Sequence, residues 1–285
     1  MCSALQMRRR ELMAGSVKND LIFGYTAQDM PQWDAELYLK FANERTQPSL
    51  DLINRIILEN PKRIIDLGCG PGNSTQALRR RWPNASVVGL DNSPQMIETA
   101  KQTYPEGIWE VGDAASWTAR EPLDLVFSNA MLQWLPDHAG LCRHMFYQVA
   151  AGGALAVQLP YHYDSPLHRE IIEVSRDPTW NVRMESARTA LTREPASLYY
   201  DTLQSLASRV DLWETTYHHV VAGPESVVEW FRGTGLRPFL EALSSDDERR
   251  RFEAMLLERY IAAYPRRPNG KVLFPFRRLF FVAYR

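Results

Sequence analysis

Apolar positions along this chain alternate between two periods from residue 63 to residue 159. Short continuous runs at Ile64-Ile65 and over residues 86–90, 108–111, 123–127 and 154–159 read as buried strands. Between them the spacing is helical. A helix over 74–82 stops at Pro83, Ser93-Pro94 opens the next, and Pro136-Asp137 caps one running to about Val149. Gly152-Gly153 then turns the chain into the fifth strand. Upstream, Leu37, Tyr38 and Phe41 set a helical spacing over 34–43, and Pro48 is expected to open a second helix reaching Leu58. Strands and helices alternating in this way make a doubly wound, parallel α/β sheet.

Beyond residue 159 the rhythm changes. Residues 160–209 read as mainly helical, over 166–176 and 195–207, before an alternating strand at 210–221. A second helical block, 225–264, precedes a last strand at 279–284. The expectation is a mostly parallel seven-stranded sheet whose insertions after strands five and six form a helical lid over its carboxyl edge. Three segments follow: a poorly ordered extension over 1–29, a ligand-binding core with N-terminal helices over 30–159, and a lid with the last two strands over 160–285.

The chemistry concentrates in Ile64 to Asn73, I-I-D-L-G-C-G-P-G-N. Gly68, Gly70 and Gly72 permit left-handed backbone and let a ligand approach the main chain. Asn73-Ser74-Thr75 is expected to cap the helix that follows, leaving several N–H donors facing a ligand. A dinucleotide fingerprint fails, because its third glycine is replaced by Asn73, and no Gly-Lys-Ser/Thr follows as a Walker loop requires. Asp91 ends the second strand, 25 positions beyond Asp66, where a carboxylate can accept both hydroxyls of a ribose. The alternative for Asp91 is an acid at a helix N-terminus, and for Asp113, after the third strand, a solvated turn aspartate.

Composition narrows the classes. With 285 residues, 45% of them apolar, the chain can bury one substantial core, as one domain with a large insertion or as two. A net charge of −1 supplies no field for nucleic acid or an anionic membrane. Three cysteines, Cys2, Cys69 and Cys142, have no metal-like spacing and suit a reducing, cytoplasmic setting, with Cys69 a small residue of the glycine loop. The first 29 residues carry Arg8-Arg9-Arg10 without the apolar stretch of a secretory signal, and no 18-residue apolar run suggests a membrane helix.

The form D-x-G-x-G-x-G resembles the first motif of class I S-adenosylmethionine-dependent methyltransferases, a family with a Rossmann-like sheet. The resemblance implies S-adenosylmethionine as cofactor, held by Asp66, Gly68, Cys69, Gly70, Gly72, Asp91, Asn92, Asp113, Ala114 and Asn129, with Asp113 and the Ala114 N–H on the adenine. Residues 128–134, S-N-A-M-L-Q-W, resemble the fourth motif of small-molecule methyltransferases and lack the Asn/Asp-Pro-Pro-aromatic sequence of those acting on exocyclic amines.

Further segments, W-D-A-E-L-Y-L-K-F, N-A-M-L-Q-W-L-P-D-H, L-A-V-Q-L-P, T-T-Y-H-H, T-G-L-R-P-F-L and R-R-L-F-F-V-A, are similar to the trans-aconitate 2-methyltransferase family from Trp33 to the C-terminus. That similarity implies esterification of one carboxylate of trans-aconitate to its monomethyl ester. The substrate side would be Trp33, Tyr38, Arg45, His162, Arg193, His219, Arg237 and Arg278, since converging guanidinium groups suit a small polycarboxylate. A carboxylate with a pKa near ~4 is already ionised at pH 7, so no general base, no metal and no obligate protein partner are expected; catalysis would come from orientation and desolvation. Alternatives are a methyltransferase for another small acid or a malonyl-thioester, and a non-catalytic S-adenosylmethionine-binding protein.

Overall fold

In the computed structural model, which describes residues 42–192 and 194–285, seven strands form one sheet. They are β1 (Arg63–Leu67), β2 (Ser86–Asp91), β3 (Ile108–Val111), β4 (Leu123–Asn129), β5 (Val149–Pro160), β6 (Arg209–Val221) and β7 (Val272–Tyr284), in the order β3-β2-β1-β4-β5-β7-β6. The pairs from β3 across to β5 are parallel, and β7 runs antiparallel to both β5 and β6. Strand order reverses between β1 and β4, which opens a crevice at their carboxyl ends where ligands of such sheets bind.

Both faces of the central strands are covered, and Leu125, Val126 and Phe127 have no exposed surface. On one face α1 (Ala42–Arg55) and α2 (Asn73–Arg81) bring Leu52, Ile53 and Leu78, with Ile56 just past the end of α1, against Ile64, Phe127, Ala156 and Phe280. On the other, α4 (His138–Tyr147) and α7 (Ala196–Leu203) bury Leu141, Met145, Phe146, Tyr199 and Leu203; α3 (Pro94–Thr103) flanks β2 and β3. Each such aliphatic or aromatic side chain contributes roughly 1.5–3 kcal/mol on full burial.

The insertions build a third core. Helices α5 (Pro166–Ser175) and α6 (Glu185–Thr189) follow β5, while α8 (Pro224–Arg232), α9 (Arg237–Glu241) and α10 (Asp246–Ala263) lie between β6 and β7. Leu167, Ile171, Trp180, Trp230, Phe231, Phe252 and Tyr260 pack there with Phe274 and Phe276 of β7. The Tyr260 hydroxyl donates to Leu167 O at 2.6 Å, tying the two insertions together.

Several expectations are corrected. Pro48 lies inside α1 instead of opening a helix, and the helix ends at Arg55; the Ser49 hydroxyl donates to Thr46 O beside it. β5 begins at Val149, before Gly152-Gly153, with a register shift against β4 that absorbs the glycines. The helix predicted over 195–207 spans only Ala196–Leu203, and the block over 225–264 is three helices. β7 starts at Val272, seven residues before the expected 279, because its first half overhangs β5 and is held by pairing with β6, where Pro275 costs no ladder bond. The expected extension over 1–29 and nearly all of the helix over 34–43 lie outside the described residues.

Candidate active site

The glycine loop joins β1 to α2 and is tied to the end of β2. Gly68 and Cys69 donate their N–H groups to Leu90 O at 2.8 and 3.0 Å, and Gly70 N–H donates to Asp91 Oδ2 at 2.9 Å. Gly70 has φ 54°, and a Cβ there would meet nothing within 4 Å, so the loop presents bare backbone to open space. Gly68 has φ 72°, and its Cβ would fall 2.6 Å from Met131 Cβ; the loop therefore packs directly on the chain leaving β4. The α2 cap is Gly72, in a left-handed conformation, with no side-chain cap. The expected capping by Asn73-Ser74-Thr75 is thus overturned, because the Ser74 and Thr75 hydroxyls both donate to buried Asp66 Oδ2 at 2.6 Å.

Asp66 has no exposed surface, and its Oδ1 accepts no hydrogen bond within the described structure. Burial pushes its carboxyl up to about 6 against the pull of Ser74 and Thr75, with Asp91 adding to the rise. A carboxyl raised in the folded state binds its proton more tightly there than in the unfolded chain, so lowering the pH stabilises the fold at this site until the unfolded carboxyl also titrates near 3.8. Between pH 7.5 and 5.5 this amounts to roughly 0.8 kcal/mol. Melting temperatures measured across that window in wild type and Asp66→Asn should show the gain in the former and its loss in the latter. Equal slopes in both would assign the titration elsewhere.

Asp91 accepts from Gly70 N with one oxygen and from Ser93 N, at 2.9 Å, with the other, and burial raises its carboxyl pKa. Asn92 is exposed beside it. Asp113 is exposed just past β3, accepting from Ala115 N at 2.9 Å in a closed turn, and Ala114 is buried. Asn129 ends β4, and its Oδ1 is buried without a partner among the described residues. Ala130 follows in left-handed backbone, φ 58°, and donates its N–H to Gln158 O. Cys69 is buried, and burial, first, with Asp66 and Asp91 raises its thiol well above the ordinary value, which suits a packing residue of the loop and not a nucleophile.

Among the residues expected to bind the acid, Arg278 of β7 is 5% exposed, lies 4.7 Å over the Phe276 ring and donates to Gln158 Oε1 at 3.4 Å. Arg237 opens α9, its side chain is 14% exposed, and its guanidinium lies 5.5 Å from the Trp134 ring and 3.5 Å from Glu241. Burial lowers the Arg237 pKa while Glu241 opposes that. Trp134 belongs to a 3-10 turn, Leu132–Trp134, directly after β4, so the second insertion reaches the crevice. The first does so too: Thr192 donates its N–H to Gln133 O at 2.9 Å, and buried His138 bonds both the Thr192 hydroxyl and Tyr199.

His219 is buried 4.6 Å from the Trp230 ring and stacks on Tyr217; burial, then Arg278 and His218, lower its pKa to about 4. His162 sits among Phe276, Phe231, Tyr163 and His168 in the helical block. Trp33, Tyr38, Arg193 and the side chain of Arg45 lie outside the described residues. Arg277 is bound to Asp164 and Glu214, and Tyr199 to His138, which gives both a structural role. Gln133 and Gln158 escaped the sequence reading. The signal was there, since Gln158 continues the core-facing alternation of Ala154 and Ala156.

A model described as a methyltransferase domain matches residues 64–153. Trans-aconitate 2-methyltransferase of Azoarcus sp. (strain BH72) is 46% identical over 256 residues, 90% of this chain and 100% of the relative. The enzyme of that name from Yersinia pestis (strain Pestoides F) is 41% identical over 260 residues, covering 90% and 99%. Among solved structures, the YcgJ protein of Bacillus subtilis aligns at TM-score 0.53 with 15% identity, over 84% of this chain and 99% of that one. Phosphoethanolamine N-methyltransferase 2 of Haemonchus contortus, in complex with S-adenosyl-L-methionine, aligns at 0.52 with 15% identity, over 84% and 52%; both share the fold. With a glycine loop at the switch point of this sheet and 40–46% identity across nine-tenths of its length, the chain belongs to the trans-aconitate 2-methyltransferase family.

Proposed function

We propose that the chain is an S-adenosylmethionine-dependent carboxyl O-methyltransferase that esterifies trans-aconitate, the residues up to 159 holding the cofactor and those from 160 onward closing over the acid. The observation that carries this reading is two little-exposed arginines from different elements, Arg237 against Trp134 just after β4 and Arg278 against Gln158 near the carboxyl end of β5. The residues present fit the cofactor: Gly70 leaves bare backbone facing open space, Asp66 Oδ1 is a buried acceptor without a partner among the described residues, and Asp91 is a carboxylate at the end of β2. When bound, S-adenosylmethionine supplies an electrophilic methyl group, a C–O bond to the acid forming as the C–S bond breaks with its electron pair going to sulfur, with no proton transferred.

This chain's residues then have to bind, align and dry the acid. Asp91 accepts ribose hydroxyls, and the loop, whose Gly68, Cys69 and Gly70 N–H groups are tied to the end of β2, offers the cofactor the bare backbone at Gly70. Arg237 and Arg278 hold anionic groups in a site with little water, where ion pairing is strong. Orientation in such a site can supply about 7–11 kcal/mol of the barrier. The direct test is mass spectrometry of products from methyl-labelled cofactor and a panel of small polycarboxylates. A labelled monomethyl ester from trans-aconitate is expected, and no ester from any acid would leave a cofactor-binding protein without this activity.

A reaction without proton transfer predicts a rate without a base. His219, with a pKa of about 4, is neutral throughout the neutral range, and carboxylic acids are ionised there. Between pH 7 and 8.5 kcat should be flat in wild type and in His219→Ala. An inflection near 7 that disappears in His219→Ala would make that histidine a base.

A further inference from the structure

We infer that Gln158 is the group that holds the reacting carboxylate, through its amide nitrogen, while the arginines take the carboxylates that do not react; this rests on the carboxyl-methylation reading above. Gln158 has no exposed surface. Its Oε1 accepts from Arg278 Nη1 at 3.4 Å, and because a guanidinium only donates, the amide oxygen must be the atom that faces it. Nε2 is therefore turned elsewhere, and it is buried with no partner among the described residues. Buried donors are almost always satisfied in folded proteins, and one left open at a ligand crevice is completed by the ligand.

Its position suits that role. Leu67 pairs with Ser128 and Asn129 pairs with Gln158, so Gln158 stands two strands from the start of the glycine loop, about 10 Å at ~4.8 Å per strand. The neighbouring carboxamide, Gln133, commits its own Nε2 to Ala130 O at 2.6 Å, and its Oε1, like Asn129 Oδ1, is a buried acceptor. Neither oxygen can hold an anion, and of these three amides Gln158 is the one with a buried donor that has no partner among the described residues.

The chemistry favours a neutral donor there. An anion and a sulfonium cation become two neutral products, so charge disappears as the transition state forms. A guanidinium on the reacting carboxylate would stabilise the starting anion more than the transition state and slow the transfer. A neutral amide N–H fixes one oxygen with less of that penalty and leaves the other lone pairs free to attack. Arginines on the remaining carboxylates keep their full charge throughout and can bind strongly without this cost.

The test uses Gln158→Leu, which removes the donor, and Gln158→Glu, which keeps shape and the Arg278 contact but places an anion beside the substrate. Each is assayed against trans-aconitate and a monocarboxylate analogue, with trans-aconitate binding measured by calorimetry in the presence of S-adenosylhomocysteine. For Gln158→Leu, kcat should fall about 10- to 100-fold on both acids, binding of trans-aconitate should change only a few-fold, and cofactor affinity should not move. Gln158→Glu should lose more than Gln158→Leu on both, and it carries the test if the leucine variant does not fold. A loss confined to the tricarboxylate, a loss in binding alone, or near wild-type kcat in either folded variant would overturn the assignment. If wild type itself esterifies no acid, the carboxyl-methylation reading fails instead, before any variant is compared.

Discussion

Arg278→Ala should lower kcat/KM for trans-aconitate by about 2–5 kcal/mol, the range for stranding a buried charge partner, while cofactor affinity stays within a few-fold. Arg278 is nearly inaccessible, backed by Phe276, and it donates to Gln158 on the neighbouring strand. Its removal leaves a substrate carboxylate facing an apolar wall and releases the Gln158 amide from its orientation. Arg237→Ala should act in the same direction but less, since its side chain is more exposed and Glu241 already shares its charge. Arg→Lys at either position keeps the charge and loses the planar fork, and should fall between wild type and alanine. The decisive measurement is the comparison with a monocarboxylate analogue. Arg237→Ala should cost the tricarboxylate far more than the analogue. Arg278→Ala should cost the analogue only the smaller amount set by a misoriented Gln158. Equal losses on both acids for Arg237→Ala, or losses of only a few-fold for both variants, would make these arginines structural.

The central strands were legible because strands covered on both faces read as unbroken apolar runs, and Val87 to Leu90 or Leu125 to Phe127 leave little room for another reading, whereas the largely exposed edge strand β3 was read from its β-branched and aromatic residues. Asp91 was legible for a related reason: an acid that interrupts such a run at its carboxyl end has no place in the core. β7 was half legible. Its pairing with β5 begins only at Arg278, and the overhang before it carries Pro275 and Arg277, residues that a fully paired strand would exclude. The capping of α2 was misread because Ser74 and Thr75 offer hydroxyls to whichever acceptor is most in need. Buried Asp66, eight and nine residues back, outcompetes the helix's own N–H groups.

Contacts between the insertions and the segment leaving β4 were not legible at all. Arg237 meets Trp134 across 103 positions of sequence, and His138 reaches Thr192 across 54, through packing that no local period encodes. Gln158 shows the intermediate case. Its polarity at a core-facing position was visible in L-A-V-Q-L-P, but only the bond to Arg278 reveals which end of the amide is open.

Asp91→Ala should weaken S-adenosylmethionine binding by about 1.5–3 kcal/mol, roughly 10- to 150-fold in Kd, which titration calorimetry measures directly. Both Asp91 oxygens already accept one backbone N–H each, from Gly70 and Ser93. A carboxylate offers about four acceptor positions, so two remain for the hydroxyls of a ribose. The alanine variant loses those positions and also unties Gly70, whose N–H then has to find water or turn away. Asp91→Asn is no rescue, since one side of its amide would set an NH2 against either the Gly70 or the Ser93 donor. Loop loosening and ribose contact can be separated with a cofactor analogue lacking one ribose hydroxyl. Wild type should discriminate against that analogue, whereas Asp91→Ala should bind both ligands equally weakly. A folded Asp91→Ala protein that still discriminates would leave Asp91 as a tether of the glycine loop and place the ribose on other residues.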